Sequence, residues 1–267
     1  MNARTEPAEA GPATPARPPV VRELLLVAGL FLVYKLGRQL VAGHTGEAFR
    51  DAHDVWRLER WLRLPDEGTV QSPLLHGDGL AQVANTYYAT VHFPATLAFL
   101  VWLYLRRPAH YLWARRALTA VTAAALALHL AFPLAPPRML AATGLVDTAR
   151  VYGPSVYGPP QTDQLSNQFA AMPSLHFGWA LMVAIGLMAA TRSRLRRLWL
   201  LHPLLTLLVI VGTANHYWLD AVAAGVLLGA ALTLIRAPRR TATGGVGRGA
   251  PATVPADATP VLVGAGR

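Results

Sequence analysis

The sequence predicts an all-α, polytopic membrane protein: a six-transmembrane-helix bundle carrying an extracytoplasmic interfacial helix and loop. Three observations predict it. Of the 267 residues, 53% are hydrophobic and only 14% charged, whereas soluble domains carry about a quarter charged residues. Six apolar stretches occupy 20–41, 81–105, 117–134, 175–190, 198–212 and 219–235, near the ~20 residues that a span requires. The arginines fall in short clusters between alternate stretches, as the positive-inside rule demands.

The chain divides into a Pro/Ala-rich tail (1–19), a membrane domain (20–240) and a Gly/Ala/Thr/Pro tail (241–267). Neither tail holds enough apolar surface to offset its ordering entropy, so both are expected to be disordered. The stretch 20–41 is long for a signal peptide and is interrupted by Lys35 and Arg38; it reads as an uncleaved span. The fourth and fifth stretches are short and are expected to borrow residues from their flanks.

Orientation follows from the connections. Arg106, Arg107, Arg115 and Arg116 follow the second stretch, Arg192, Arg194, Arg196 and Arg197 the fourth, and Arg236, Arg239 and Arg240 the sixth. These segments are expected in the cytoplasm together with both termini. The alternate connections lack this excess: 43–80 holds four Arg against seven Asp or Glu, 135–172 balances Arg138 and Arg150 against Asp147 and Asp163, and 213–218 has no Lys or Arg. They are expected outside, at the extracytoplasmic face of the cell membrane.

Within the first outer connection, Phe49, Ala52, Val55, Trp56, Leu58, Trp61 and Leu62 stand among charges over 47–64. This predicts an amphipathic helix, lying on the interface or packed on the outer loops. The segment 133–173 is dense in proline and glycine, which excludes a regular helix and predicts the wall or lid of a site.

The absence of cysteine removes disulfides, thiolate nucleophiles and Cys-ligated metals. The net charge of +10 raises nucleic acid as a partner, but the arginines sit in interhelical clusters, so none is expected. Membrane lipids are the expected surroundings.

Ionisable groups in or beside membrane helices are costly and mark functional sites. His216 and Asp220 stand four residues apart at the start of the last span, a spacing that puts them on one helix face. A carboxylate there can fix the tautomer of an imidazole and raise the basicity of its other nitrogen; the alternative is a structural His–Asp pair. Ala171-Met172-Pro173-Ser174-Leu175-His176 enters the fourth span. Pro173 suits a first helical turn, free amides around Ser174 would cradle phosphate, and His176 one turn inside is placed to donate a proton. Arg138, in Pro136-Pro137-Arg138, suits bidentate phosphate binding or lipid headgroups. Asn85, Tyr88 and His92 form a polar stripe on the second span, with Tyr87 beside it. With His129, Asn215 and Tyr217 they are candidate pocket-lining residues, or interhelical hydrogen-bonding groups.

Pro-Ser-Leu-His at 173–176, followed by His216-x-x-x-Asp220, resembles the type 2 phosphatidic acid phosphatase superfamily. With Pro136-Pro137-Arg138 upstream and Asn215-His216-Tyr217 downstream, it is most similar to the inositol phosphorylceramide synthase-like branch, over about residues 47–235. The resemblance implies a six-helix membrane fold and a metal- and cofactor-free phosphohistidine mechanism on a lipid phosphate. His216 would attack phosphorus, Asp220 would orient it and His176 would protonate the leaving group, while Arg138 and Ser174 bind the phosphate. Two cations of the family pattern are absent, replaced by Ala131 and Ile210; His92, His129 and Arg150 are the candidates to compensate. The departures favour the transferase-like branch.

Two other readings compete. His176, His216 and Asp220 could ligate zinc, or the polar stripe could line a path in a transporter or lipid-binding protein. The histidine mechanism predicts a rate that is bell-shaped in pH, since the base must be free and the acid protonated.

Overall fold

The structure is a computed structural model, and it describes residues 17–41, 45–155 and 168–238. Most of both tails, Gly158, Pro159, Pro160, Asp163, Arg239 and Arg240, and the side chains of Lys35 and Arg38, lie outside the described residues.

The described chain is all-helical, with one isolated parallel bridge between Leu134 and Ala170. Helix α1 (Val20–Val41) packs on α6 (Pro108–Ala131), where Glu23 pairs with Arg115 and accepts from the Tyr111 hydroxyl at 2.7 Å. Helix α2 (Thr45–Trp61) is the expected amphipathic helix. It packs through Ala48, Ala52 and Val55 on Leu134, Ala135, Ala171 and Tyr217, and leaves Trp61 77% exposed. The short α3 (Glu67–Gln71) and a 3-10 turn (Ser72–His76) follow.

The second apolar stretch is not one straight helix. It divides into α4 (Asp78–Thr90) and α5 (His92–Arg106), bent by 44°. Pro94 explains the break, because it has no N–H to bond the Thr90 carbonyl and its ring crowds that carbonyl. Arg115 and Arg116, expected in a connection, are helical: α6 starts at Pro108, in the N1 position where proline costs nothing. Arg194, Arg196 and Arg197 likewise stand in a 3-10 segment (Arg194–Leu200) running into α9 (Leu201–Gly212). The loop 133–173 contains a helix after all, α7 (Thr148–Tyr152), whose Arg150 N–H is capped by the Asp147 side chain. Helices α8 (Leu175–Ala190) and α10 (Trp218–Leu234) complete the chain.

Six spans do not emerge directly. Among the described residues, Arg194–Gly212 alone is long and apolar enough to cross a membrane, and the bent α4–α5 pair passes with it if counted as one span. Helices α8 and α10 are apolar but have 16 and 17 residues.

The main core joins α5, α6, α8 and α10 through Phe99, Leu103, Trp113, Val121, Met182 and Leu228. Helix α8 lies at its centre, and small residues let its neighbours approach. A Cβ on Gly186 would strike the Phe99 ring, whereas one on Gly178 would meet Ala224 Cβ at an ordinary 3.5 Å. Gly186→Ala is therefore expected to destabilise the fold by ~1–3 kcal/mol through overpacking, while Gly178→Ala is tolerated. Thermal unfolding of the two variants checks this; equal midpoints would refute the close approach.

The three connections expected on one side gather at one end of the bundle. Ala135 N–H donates to Ala48 O (3.1 Å), Leu134 N–H to Phe169 O (2.8 Å), Arg138 N–H to Ala214 O (3.0 Å) and Ser174 N–H to Asp220 O (3.0 Å). At the other end Trp113 Nε1–H donates to Ile235 O (2.9 Å). The end that gathers the loops holds the candidate site.

Candidate active site

The turn from α9 to α10 presents His216. The carbonyl of Ile210 accepts from the amides of both Asn215 (3.0 Å) and His216 (3.1 Å), and Ala214 adopts φ +54°, a conformation uncommon for a residue with a Cβ. Ile210, where the family pattern has a cation, thus contributes a backbone acceptor; its side chain is fully buried.

His216 and Asp220 meet, but not across one helix face. Helix α10 begins at Trp218 with Tyr217 as N-cap, so His216 lies outside it. Asp220, at the third helical position, reaches back as N3 carboxylates do. Its Oδ2 accepts from Tyr217 N–H (2.9 Å) and lies 3.1 Å from His216 Nδ1. The same Nδ1 is 2.9 Å from the Ala171 carbonyl. The carbonyl can only accept, so Nδ1 donates, and in the neutral ring Nε2 holds the lone pair.

His176 occupies the second position of α8, its ring centroid 6.0 Å from that of His216. Tyr88 stacks on it at 4.4 Å and 20°, and His92 lies at 4.4 Å on the same ring. A void of about 10 Å³, bounded by Tyr87, Tyr88, His92, His176 and Thr206, is of the size that holds about one water. It shares Tyr87 and Val209 with a larger apolar groove of about 490 Å³ between α3, α4 and α9, lined by Val70, Leu74, Leu80, Val83, Leu205 and Leu208.

Arg138 comes to the site through Asn215, the residue before His216. Its Nη1 donates to Asn215 Oδ1, its Nε lies 3.7 Å from Asp147 Oδ2, and its side chain is 4% exposed. Asn215 also donates to Thr213 Oγ1 (2.7 Å), so it clips the turn to the guanidinium.

Several candidates are placed differently from expectation. The Ser174 amide is not free for phosphate: it donates to Asp220 O, and the Ser174 hydroxyl caps Phe177 N–H (3.4 Å). The first-turn amides of Leu175 and His176 follow it, where the helix supplies no acceptor. Pro173 lies before the N-cap, not in the first turn. Asn85 clamps α7, donating to Gly153 O (2.9 Å) and accepting from Thr148 Oγ1 (2.8 Å). Tyr217 is fully buried in the core beneath α2. His129 Nε2–H donates to Pro173 O (3.3 Å) and so supports the loop before α8. Of the residues expected to replace the missing cations, only His92 touches a catalytic candidate, and Arg150 is exposed on α7. Among the described residues no group of three or more His, Asp or Glu is arranged to hold a metal ion, so the zinc arrangement of His176, His216 and Asp220 does not form.

Two partners escaped sequence reasoning. The Ala171 carbonyl carries no side-chain signal. Glu59 does: it continues the buried stripe Ala48, Ala52, Val55 on α2, and its Oε1 accepts from Leu219 N–H at 2.8 Å.

Compared with protein-family models, residues 53–234 match the one described as PAP2 superfamily. No curated protein and no solved structure matches the chain.

Proposed function

This chain belongs to the PAP2 superfamily, and we propose that it is a membrane-embedded, metal-independent phosphatase or phosphotransferase acting on a lipid-borne phosphate ester through a phosphohistidine. Family membership supports the phosphatase or phosphotransferase activity. The observation that carries the mechanism is the pair of acceptors on His216 Nδ1, which leaves Nε2 as a free nucleophile beside a second imidazole.

In the first half, Nε2 attacks phosphorus, a P–N bond forms, the ester P–O bond breaks and His176 gives its proton to the leaving oxygen. In the second, His176, now neutral, takes a proton from water or an alcohol, whose oxygen attacks phosphorus as the P–N bond breaks. The 6.0 Å separation of the ring centroids supports one phosphate ester being shared by both imidazoles. Asp220 balances the positive charge that grows on His216, and Arg138 with the first-turn amides of α8 faces the phosphoryl oxygens. The absence of cations at Ala131 and Ile210 supports the transferase-like branch, with an alcohol such as inositol as acceptor.

A lipid substrate is supported by the apolar groove that shares Tyr87 and Val209 with the His176 void and by exposed Leu80, Val83, Leu204, Leu205, Leu208, Val222 and Val226. Single exposed apolar residues mean little, but a run of them marks a lipid or partner surface.

The direct test is to mix purified protein with a labelled long-chain lipid phosphate, quench within one turnover and map the label. An acid-labile, base-stable phosphoryl group on His216 is expected, and label elsewhere or none refutes the mechanism. Adding inositol distinguishes transfer from hydrolysis. Transport of the lipid across vesicles without phosphate release would instead favour a transporter.

The groove yields a separate prediction. Val83→Trp or Leu208→Trp is expected to raise KM for a long-chain phosphate about tenfold, the worth of one or two buried methylenes. A short-chain, water-soluble phosphate ester should be unaffected. Equal losses for both substrates would remove the groove from chain binding.

A further inference from the structure

Behind Asp220 the structure buries more acid than its visible hydrogen bonds satisfy. Glu59 is 0% exposed, Glu67 2%, Asp220 0% and Tyr217 0%. Glu59 Oε2, Glu67 Oε1, Asp220 Oδ1 and the Tyr217 hydroxyl are all buried without a partner. The compensating cation is Arg60, which bonds Glu67 Oε2 at 2.9 Å and reaches Asp66 at 3.4 Å. Orphaned carboxylate oxygens are rare in folded interiors because their desolvation is not repaid. One proton shared between Glu59 and Glu67 gives each of their orphan oxygens a partner.

The geometry assigns that proton to Glu59 and makes it a positioning residue: we propose that Glu59, as a neutral carboxylic acid, bridges Glu67 and the Leu219 amide and holds the Asp220 turn against α2. Three elements meet at this carboxyl. Glu59 belongs to α2, Glu67 to α3, and Leu219 to the first turn of α10, one residue before Asp220. Oε1 accepts from Leu219 N–H at 2.8 Å, which leaves Oε2 to donate its proton to Glu67. The groups around it are Glu67 from α3 and Asp220 and Tyr217 from the start of α10, while Arg60, next to it on α2, turns to Glu67 and Asp66. Burial first, then Glu67 and Asp220, push the Glu59 carboxyl up to about 9, against the downward pull of the Leu219 amide.

The sign follows from linkage. The folded protein keeps this proton from the ordinary carboxylate range up to about 9, while the unfolded chain releases it. Stability therefore falls as pH rises across that window, and above it the carboxyl ionises against Glu67 and Asp220.

The positioning role rests on His216 and Asp220 being the catalytic pair; the shared proton does not, so the experiment reads both. For purified full-length wild type, Glu59→Gln and Glu59→Leu, the unfolding midpoint and kcat/KM for a lipid phosphate are followed from pH 6 to 10. Glutamine can donate to Glu67 and accept from Leu219 without ionising. It is expected to keep activity at pH 7 within about threefold, to flatten the decline in midpoint, and to move the alkaline fall of kcat/KM upward. Glu59→Leu is expected to lose at least tenfold at pH 7. Identical pH slopes of the midpoint in wild type and Glu59→Gln would overturn the shared proton, whatever the substrate. A flattened midpoint slope with an unmoved alkaline limb, or a fully active Glu59→Leu, would overturn the positioning role. A Glu59→Leu that fails to fold leaves the Glu59→Gln comparison to decide.

Discussion

Replacing His216 with alanine is expected to lower kcat by roughly 10⁴-fold or more, as removal of a covalent nucleophile does, with little change in stability. The ring is held by two contacts from Nδ1, to Ala171 O and Asp220 Oδ2, so the deletion takes this donor from the Ala171 carbonyl and lies outside the main core of α5, α6, α8 and α10. Asp220 Oδ2 still accepts from Tyr217 N–H, and Ser174 N–H still accounts for the Asp220 backbone carbonyl. Phosphate release from a panel of lipid phosphates, with the unfolding midpoint measured alongside, checks the result. A variant that keeps wild-type turnover would refute the phosphohistidine route, and one that loses activity only because it unfolds would show in the midpoint.

Asp220 is expected to separate into two effects. One oxygen, Oδ2, serves both His216 and Tyr217, while Oδ1 has no partner. In Asp220→Asn the amide oxygen can stand in for Oδ2, keeping the His216 tautomer and the turn. The charge is lost, and with it ~10²–10³-fold in kcat from weaker stabilisation of the imidazolium-like state. Asp220→Ala removes the oxygen as well, frees the turn and misplaces the ring, at a further cost of about 10²-fold. Single-turnover rates for the two variants test this. Equal rates would mean that Ala171 alone orients His216, and an Asn variant as fast as wild type would mean that the charge does not matter. Many such dyads suffer from the asparagine by a wrong tautomer; here the Ala171 carbonyl opposes that change, so a smaller loss is the expected signature of this site.

Much of this architecture can be read along the chain. The apolar stretch at 20–41 returns as α1 with the same limits, and the amphipathic pattern over 47–64 returns as α2. Local features mislead where one residue changes the geometry. Pro94 breaks what hydropathy reads as a single second span, and Pro108 starts α6 early enough to make Arg115 and Arg116 helical. Hydropathy windows count apolar residues and ignore a missing amide, which is why six stretches do not become six straight helices. The Asn85 stripe shows the same limit. Its spacing is right for one helix face, but its partner, α7, lies in a segment whose prolines hid a helix.

The residues of the candidate site stand out in the sequence as well, because histidines, an aspartate and an arginine beside apolar runs are costly in a linear chain. Their roles depend on atoms brought from far away. The proton on His216 is placed by a carbonyl 45 residues distant, the Ser174 amide is taken up by the Asp220 backbone, and the clamp on Leu219 comes from a glutamate 160 residues away. Residue identity carries chemistry, so the sequence alone determined which reactive groups are present and that they stand beside apolar stretches. Tautomer, hydrogen-bond satisfaction and shared protons are properties of contacts between distant backbone and side-chain atoms, and only the folded chain decides them.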